Sequence, residues 1–454
     1  MELNELGLTA AAQGIRKGEF TSEEYTAACL AAVARFDPAI EVWEWLDRER
    51  AIEQARAADA RRQSGMALGP LHGLPIGVKD IIDTKAIPTR IGSPIFAANV
   101  PAEDATVVQR LLEAGAFVLG KTVTTEFAWA HPGKTHNPWN AGHTPGGSSS
   151  GSAAGVAAQF MPAALGSQTL GSVIRPAAYC GVVGFKPSFG LISRSGVHPF
   201  SPTLDHIGVF ARCVADAALL ANCLTGFDPD DPASIRGDSR PPARGRTPPL
   251  ARPPRLALVH SPVWELADEQ QRTAMQSAAQ TLRAAGAEIR EVELPAQFAQ
   301  SQQAVNTIMR AEATAVFAPL QAAHPGKVSA VIDTLIAEGR AISALTYIEA
   351  LRARAGMQKD MQRLFLDFDA IVTPPATGEA PESLERTGNP AFCAAWSMLG
   401  VPAINLPAGW GTHGLPLGIQ LLGAYRNDQH MLRVAQWCEE RLDFKRRPLP
   451  SSAL

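Results

Sequence analysis

Three polar segments of this 454-residue chain sit in surroundings that would give them unusual chemistry. Lys79 ends the apolar run Gly73-Leu-Pro-Ile-Gly-Val-Lys79-Asp80. Burial of such a lysine disfavours its charged form, which is how an amine becomes a base near neutral pH. The alternative is a lysine that snorkels to the surface and does no chemistry. The second segment is Gly146-Gly-Ser148-Ser149-Ser150-Gly-Ser152. By composition alone it is a flexible linker. It opens, however, directly into a helical run of small residues, Ala153 to Gln159, so several hydroxyls can point into one tight site. The third is Ser167-Gln-Thr169-Leu-Gly171-Ser172-Val-Ile-Arg175-Pro176. A serine after glycine in a polar turn can gather backbone N–H groups beside it, as stabilisation of an oxyanion requires.

Other motifs fit less well. Gly115 to Thr122 matches the phosphate-binding pattern G-x-x-x-x-G-K-T, but its variable positions, Ala116, Phe117, Val118 and Leu119, read as a strand, and helix precedes Gly115. Gly147 to Gly151 matches G-x-S-x-G around Ser149, yet the preceding residues 137–145 are loop-like, where a nucleophile elbow needs a strand. No S-x-x-K occurs, which argues against a β-lactamase type of serine–lysine site.

These segments need a scaffold. The chain is 46% hydrophobic and 19% charged, ample for a large buried core. A net charge of −3 gives no reason to expect nucleic acid or an anionic membrane as partner. The N-terminus, Met1-Glu2-Leu3-Asn4-Glu5, has neither the basic start nor the apolar stretch of a secretory signal, and no apolar run is long enough to span a bilayer. Six cysteines without a C-x-x-C pair read as reduced, mostly buried thiols. A cytoplasmic location is expected.

Residues 1–65 read as helices: Thr21-Ser22-Glu23-Glu24 offers N-caps, Pro38 ends the first long run, and Glu49 to Gln63 forms another. Beyond them, strand-like runs at Ala116–Leu119, Ala163–Leu165, Val182–Phe185 and His206–Phe210 alternate with helical ones. Asp228 to Pro254 reads as an exposed connection rich in Pro and Arg. Strands resume at Leu256–His260, Ala370–Thr373 and Ala403–Leu406, separated by helices over 266–287 and 297–367. Met431 to Arg441 is the last helix. The expectation is an α/β fold with a large mixed β-sheet flanked by helices. It divides into a helical region 1–65, a core 66–225, a connection 226–255 and a remainder 256–454 carrying substrate-pocket helices, all in one compact domain whose halves share a sheet.

Taken together, the motifs resemble the amidase signature family. The match comprises Gly73 to Asp80, Asn137-Pro-Trp-Asn140, Pro145 to Ala154, Gly171-Ser172 and Pro176-Ala-Ala-Tyr-Cys-Gly-Val-Val-Gly-Phe-Lys-Pro187. It continues with Gly400-Val-Pro-Ala-Ile404 and Gly414-Leu-Pro-Leu-Gly-Ile-Gln-Leu-Leu-Gly423. The resemblance implies a Ser–cis-Ser–Lys triad with Lys79 as the lysine, Ser148 as the bridging serine and Ser172, 24 residues later, as the nucleophile. It further implies an oxyanion hole from the backbone N–H groups of Thr169, Leu170, Gly171 and Ser172, an acyl-enzyme, and no metal or organic cofactor.

Several positions depart from the family pattern. Gln168 stands where aspartate is common and Leu170 where glycine is, so Leu170 is expected to narrow the pocket. Ile174 replaces a common arginine, with Arg175 one place later, and Ser397 replaces a frequent asparagine. Trp129, Trp139, Ile174, Met309, Phe392 and Trp396 are candidate pocket residues. The first functional expectation is a free-standing amidase, monomer or homodimer, acting on small amides, anilides or carbamates (urethanes). No charged anchor for a carboxylated substrate is evident near the triad. The alternatives are the glutaminase-type subunit of a tRNA-dependent amidotransferase and a non-catalytic binding protein on the same fold.

Overall fold

The computed structural model describes residues 2–236 and 249–444. Eleven strands form one sheet: β1 (Trp43–Leu46), β2 (Pro75–Lys79), β3 (Phe117–Thr122), β4 (Ala163–Gln168), β5 (Val183–Lys186), β6 (His206–Ala211), β7 (Arg255–Val259), β8 (Glu288–Val292), β9 (Ala370–Thr373), β10 (Ala403–Trp410) and β11 (Pro416–Leu422). Their order is β1-β3-β2-β4-β6-β5-β10-β11-β9-β7-β8. The sheet is mixed. β3, β2 and β4 run parallel, as do β9, β7 and β8, with antiparallel pairs between the two groups and at β1. Strands from both sides of the Pro-rich stretch therefore share one sheet.

The helices are α1 (Leu8–Lys17), α2 (Ser22–Ile40), α3 (Arg48–Gln63), α4 (Thr106–Glu113), α5 (Ser150–Ala157), α6 (Ile174–Cys180), α7 (Val214–Leu224), α8 (Glu269–Ala284), α9 (Ser301–Ala323), α10 (Ala330–Arg340), α11 (Ala344–Asp367), α12 (Ala391–Leu399) and α13 (Asp428–Leu442). α2 starts on the expected cap. Thr21 Oγ1 accepts from Glu24 N at 3.0 Å, and Thr21 N donates back to Glu24 Oε2 at 2.8 Å. Pro38 does not end this helix. It lies in the last turn, where it forfeits a single bond, and the chain winds on to Ile40.

The central strands β2 to β6 are buried along their whole length, because helices cover both faces. That is why they read as continuous apolar runs. α5, α6 and α12 are buried at every residue, and the small side chains of α5 let it lie close on the sheet. Two expectations change. β1 interrupts the region expected to be helical, and the start of the Pro-rich connection is exposed only in part, at Pro229, Asp230, Pro232 and Arg236. Asp228 and Asp231 are buried there, bonded to Ser193 and Arg194. Residues 237–248 of that connection lie outside the described residues. No helix among the described residues is long and apolar enough to cross a membrane.

Candidate active site

The parallel strands β2, β3 and β4 end together, and their carboxyl-terminal edge is where an open α/β sheet leaves a crevice. Lys79 is the last residue of β2. The register that sets Val78 beside Leu165 brings it next to the end of β4. Lys79 is fully buried. Its Nζ lies 2.7 Å from Ser148 Oγ and 2.8 Å from Ser167 Oγ. Burial pushes its pKa well below the ordinary lysine range, and the negative charge of Asp205 opposes that shift. An uncharged amine has one lone pair and two protons. It can accept from Ser148 while donating to Ser167.

Ser148 follows a cis Gly147–Ser148 peptide and precedes α5. The remaining serines of the cluster face elsewhere. Ser149 Oγ donates to Ser167 O (3.1 Å) and accepts from Ser167 N (3.2 Å). Ser150 Oγ donates to Val123 O, and Ser152 Oγ donates to Leu165 O. They fasten α5 to β3 and β4. Ser149 does not stand on a strand-to-helix elbow. The phosphate-loop match is β3 itself, with Lys121 buried against Ile82 O, Thr89 Oγ1 and Asp80.

Ser172 lies on the turn between β4 and α6 and is 9% exposed. Its hydroxyl has no hydrogen-bond partner among the described residues. The N–H groups of Thr169, Leu170, Gly171 and Ser172 likewise meet no acceptor among them, which leaves four successive donors available. Three residues on, the buried Arg175 donates from Nη2 to Gly147 O at 2.7 Å and to Thr387 Oγ1 at 3.2 Å, joining the Ser172 segment to the peptide before Ser148. No carboxylate pairs with this guanidinium among the described residues, and burial lowers its pKa.

A cavity of about 180 Å³ opens beside Ser167 and Thr169. Ile81, Ala128, Val197, Pro199, Phe200 and Ile207 make its wall largely apolar. His198 also lines it. Burial pushes this imidazole down to about 4, so it is neutral at neutral pH. Asp205 accepts from Thr169 Oγ1 (2.6 Å), Phe200 N (2.8 Å) and Ser201 N (2.9 Å), while burial raises its pKa. Arg194 is spent on a bidentate pair with Asp231 and on the carbonyl of Pro202. Among the described residues no group of three or more His, Cys, Asp and Glu side chains is arranged to hold a metal ion.

Of the expected pocket residues, Trp129 stands behind the wall of this cavity and the others do not line it. Trp129 stacks on Phe200 at 5.1 Å and so backs the cavity wall. Met309 and Ile174 are buried in the main core. Trp139 packs against Trp410 in a separate small cluster and donates from Nε1 to Cys180 O. Phe392 and Trp396 line a different, small cavity with Phe298. Leu170 is buried in the main core, not in the cavity wall, and contributes its carbonyl to Ser397 Oγ. Sequence reasoning missed Ser167, Gln168, Asp205 and the wall segment 197–202. Ser167 and Gln168 stood inside the motif, but only strand register gives Ser167 its Lys79 partner, and only the packing of α12 and the start of α6 gives Gln168 its own.

A family model described as Amidase matches residues 24–432. A glutamyl-tRNA(Gln) amidotransferase subunit of Picosynechococcus sp. is 34% identical, over 93% of this chain and 95% of its own length. The solved peptide amidase of Stenotrophomonas maltophilia aligns with a TM-score of 0.85 at 31% identity, covering 98% of each chain. A chain from a vestigial protein complex that reveals the evolutionary origins of an s-triazine catabolic enzyme aligns with a TM-score of 0.88 at 29% identity, covering 96% of this chain and 98% of that one.

Proposed function

Since the chain belongs to the amidase family, we propose that it hydrolyses amide-type C–N bonds through Lys79, Ser148 and Ser172. The observation that carries this reading is the fully buried, depressed-pKa Lys79 at hydrogen-bond distance from Ser148. The uncharged amine draws a proton through Ser148 from Ser172, and Ser172 Oγ attacks the carbonyl carbon. The resulting oxyanion is received by the open N–H groups of residues 169–172. The same proton returns to the leaving nitrogen as the C–N bond breaks. Water, deprotonated by the same relay, then releases the acid from Ser172. These steps make no use of a metal or organic cofactor.

The largely apolar cavity favours a small, uncharged amide, anilide or carbamate, because Arg194, Asp205 and Asp231 are already bonded within the protein and Asp230 is the lining charge left without a side-chain partner among the described residues. A second reading has its own support, stronger on the side of the curated relatives: a glutaminase-type amidotransferase subunit, like the Picosynechococcus protein. Glutamine, however, brings a carboxylate that would need a free cation in the pocket, and the lining Arg194 is already spent on Asp231 and Pro202.

A fluorophosphonate probe should label the wild type at Ser172 and leave Ser172→Ala unlabelled; labelling that persists in Ser172→Ala rejects the nucleophile. Turnover of 4-nitroacetanilide, phenylacetamide, a phenyl carbamate and glutamine then separates the readings. A preference for the neutral substrates supports the first. A glutamine preference, or activity that needs partner chains, replaces it with the second.

A further inference from the structure

We infer that Gln168 and Ser397 act as one positioning unit that aims the backbone N–H groups of the Leu170–Ser172 loop at the reacting carbonyl. The inference rests on the proposal that this loop receives the oxyanion.

Gln168 is the last residue of β4, and its buried side chain folds back over the loop that follows it. Oε1 accepts from Val173 N at 2.8 Å and from Ile174 N at 3.0 Å. Two backbone donors on one amide atom identify it as the oxygen, so the other atom, Nε2, is a donor. Nε2 lies 2.9 Å from Ser397 Oγ on α12. That hydroxyl oxygen must accept there, and its single proton is left for a carbonyl. Leu170 O is at 2.7 Å and Cys393 O at 3.2 Å, so Leu170 is the better acceptor. The peptide unit is planar, with its C=O and N–H pointing oppositely. Ser397 therefore fixes the direction of the Gly171 N–H by holding Leu170 O. Both ends of the loop are thus tied to one amide, and both residues differ from the family pattern.

Gln168→Glu separates this role from packing. The carboxylate is nearly isosteric and still accepts from Val173 and Ile174. It cannot donate to Ser397, whose proton turns toward it and releases Leu170 O. It also sets a negative charge beside the forming oxyanion. Protonated, the carboxyl can donate to Ser397 as the amide does. The defect of Gln168→Glu should therefore grow as pH rises. The charged and ionisable groups on the packed elements are Lys79 on β2, Arg175 and Tyr179 on α6, Lys186 on β5, Asp205 just before β6, His206 on β6 and Cys393 on α12. A higher Lys79 pKa, the other effect of a new negative charge, would instead worsen the defect as pH falls. Ser397→Ala shares every native titration without adding a carboxyl.

The experiment follows 4-nitrophenyl acetate turnover by wild type, Gln168→Glu, Ser397→Ala and the double variant from mildly acidic to mildly alkaline pH. Thermal melts accompany each variant. Both single variants should lose about 10- to 100-fold in kcat with KM within about two-fold, since a small misaim of an oxyanion donor costs rate and not binding. The wild-type to Gln168→Glu ratio should rise with pH while the Ser397→Ala ratio stays flat, and the double variant should be no worse than the worse single one. A Gln168→Glu ratio independent of pH, single losses that multiply, or losses that fall on KM overturn the inference. Ser397→Ala removes one hydroxyl only, so an unchanged kcat in that variant overturns it even if Gln168→Glu does not fold. Wild type that fluorophosphonate fails to label at Ser172 brings down the functional reading instead, and the inference with it.

Discussion

Lys79 can take a proton only while its amine is uncharged, so the rate should rise with pH through its depressed pKa. Asp205 is the negative charge that opposes the depression, and it is fixed by Thr169, Phe200 and Ser201. Asp205→Asn removes that charge with little change of shape. The pKa of Lys79 then falls further, and the acidic limb of the kcat/KM profile moves to lower pH. A limb that stays in place or moves upward rejects Lys79 as the titrating base. Lys79→Met should lower kcat by about 10²-fold or more while the melting temperature holds or rises, because no buried amine needs desolvating. Near-normal turnover would sink the relay. The three residues of the proposed relay were legible in the sequence because their motifs keep them together. Ser167, Gln168 and Asp205 were not, because their partners come from strand register, from the packing of the start of α6 and of α12 on the end of β4, and from the fold of the 199–205 loop. Residue type also misled: Trp139, Phe392 and Trp396 are large and buried, as aromatic residues tend to be, but type does not say which cavity a ring faces.

The helix that follows Ser148 is positioned by its serines rather than by apolar packing alone. Ser149 is fully buried and both donates to and accepts from the backbone of Ser167, the residue that faces Lys79. Ser149→Ala strands a buried N–H and a buried C=O, at a cost of roughly 1–3 kcal/mol. Chemical denaturation should register that loss, while fluorophosphonate labelling still reaches one site per chain at Ser172. Loss of labelling with the fold intact would return Ser149 to candidacy as a nucleophile. Burial also explains which elements could be read in advance. β2, β3 and β4 lie under helices on both faces, so they spell continuous apolar runs. β8, an edge strand carrying Glu288, Arg290 and Glu291, is mostly exposed and spells no apolar run. β1 is four residues of Trp, Glu and Leu beside a helix-rich region, too short for a period to declare itself. β11 is legible as a motif but not as a strand, since Pro416 and Gly418 read as turn residues although it pairs with β9 and, across one bulge at Pro407–Gly409, with β10.

The molecule as a whole buries an unusual set of bases, and this gives its stability a sign with pH. Burial pushes Lys186 down to about 7 and Lys121 to about 8, from an ordinary lysine value of 10.5, and holds Lys79 well below that value too. Between the folded and the ordinary value the unfolded chain holds protons that the folded chain lacks, so stability rises with pH in that window. Buried acids act oppositely, but at other pH values. Glu439, raised to about 7, and Asp80, raised to about 6, exert their slope below neutrality. The buried thiol of Cys393, raised to about 12 from 9.0, exerts its slope above pH 9. The lysines therefore dominate between pH 7 and 9. Each contributes at most about 1.4 kcal/mol per pH unit there. The denaturation midpoint should climb across this interval. Lys186→Met should climb less steeply, while starting lower, because Val401 O and Pro187 O lose their donor. A Lys186→Met slope equal to that of the wild type would show that Lys186 keeps its proton in the folded chain, and a wild-type midpoint that is flat or falling from pH 7 to 9 would show the same of the buried lysines together, leaving Lys79 without the uncharged form its proposed role requires.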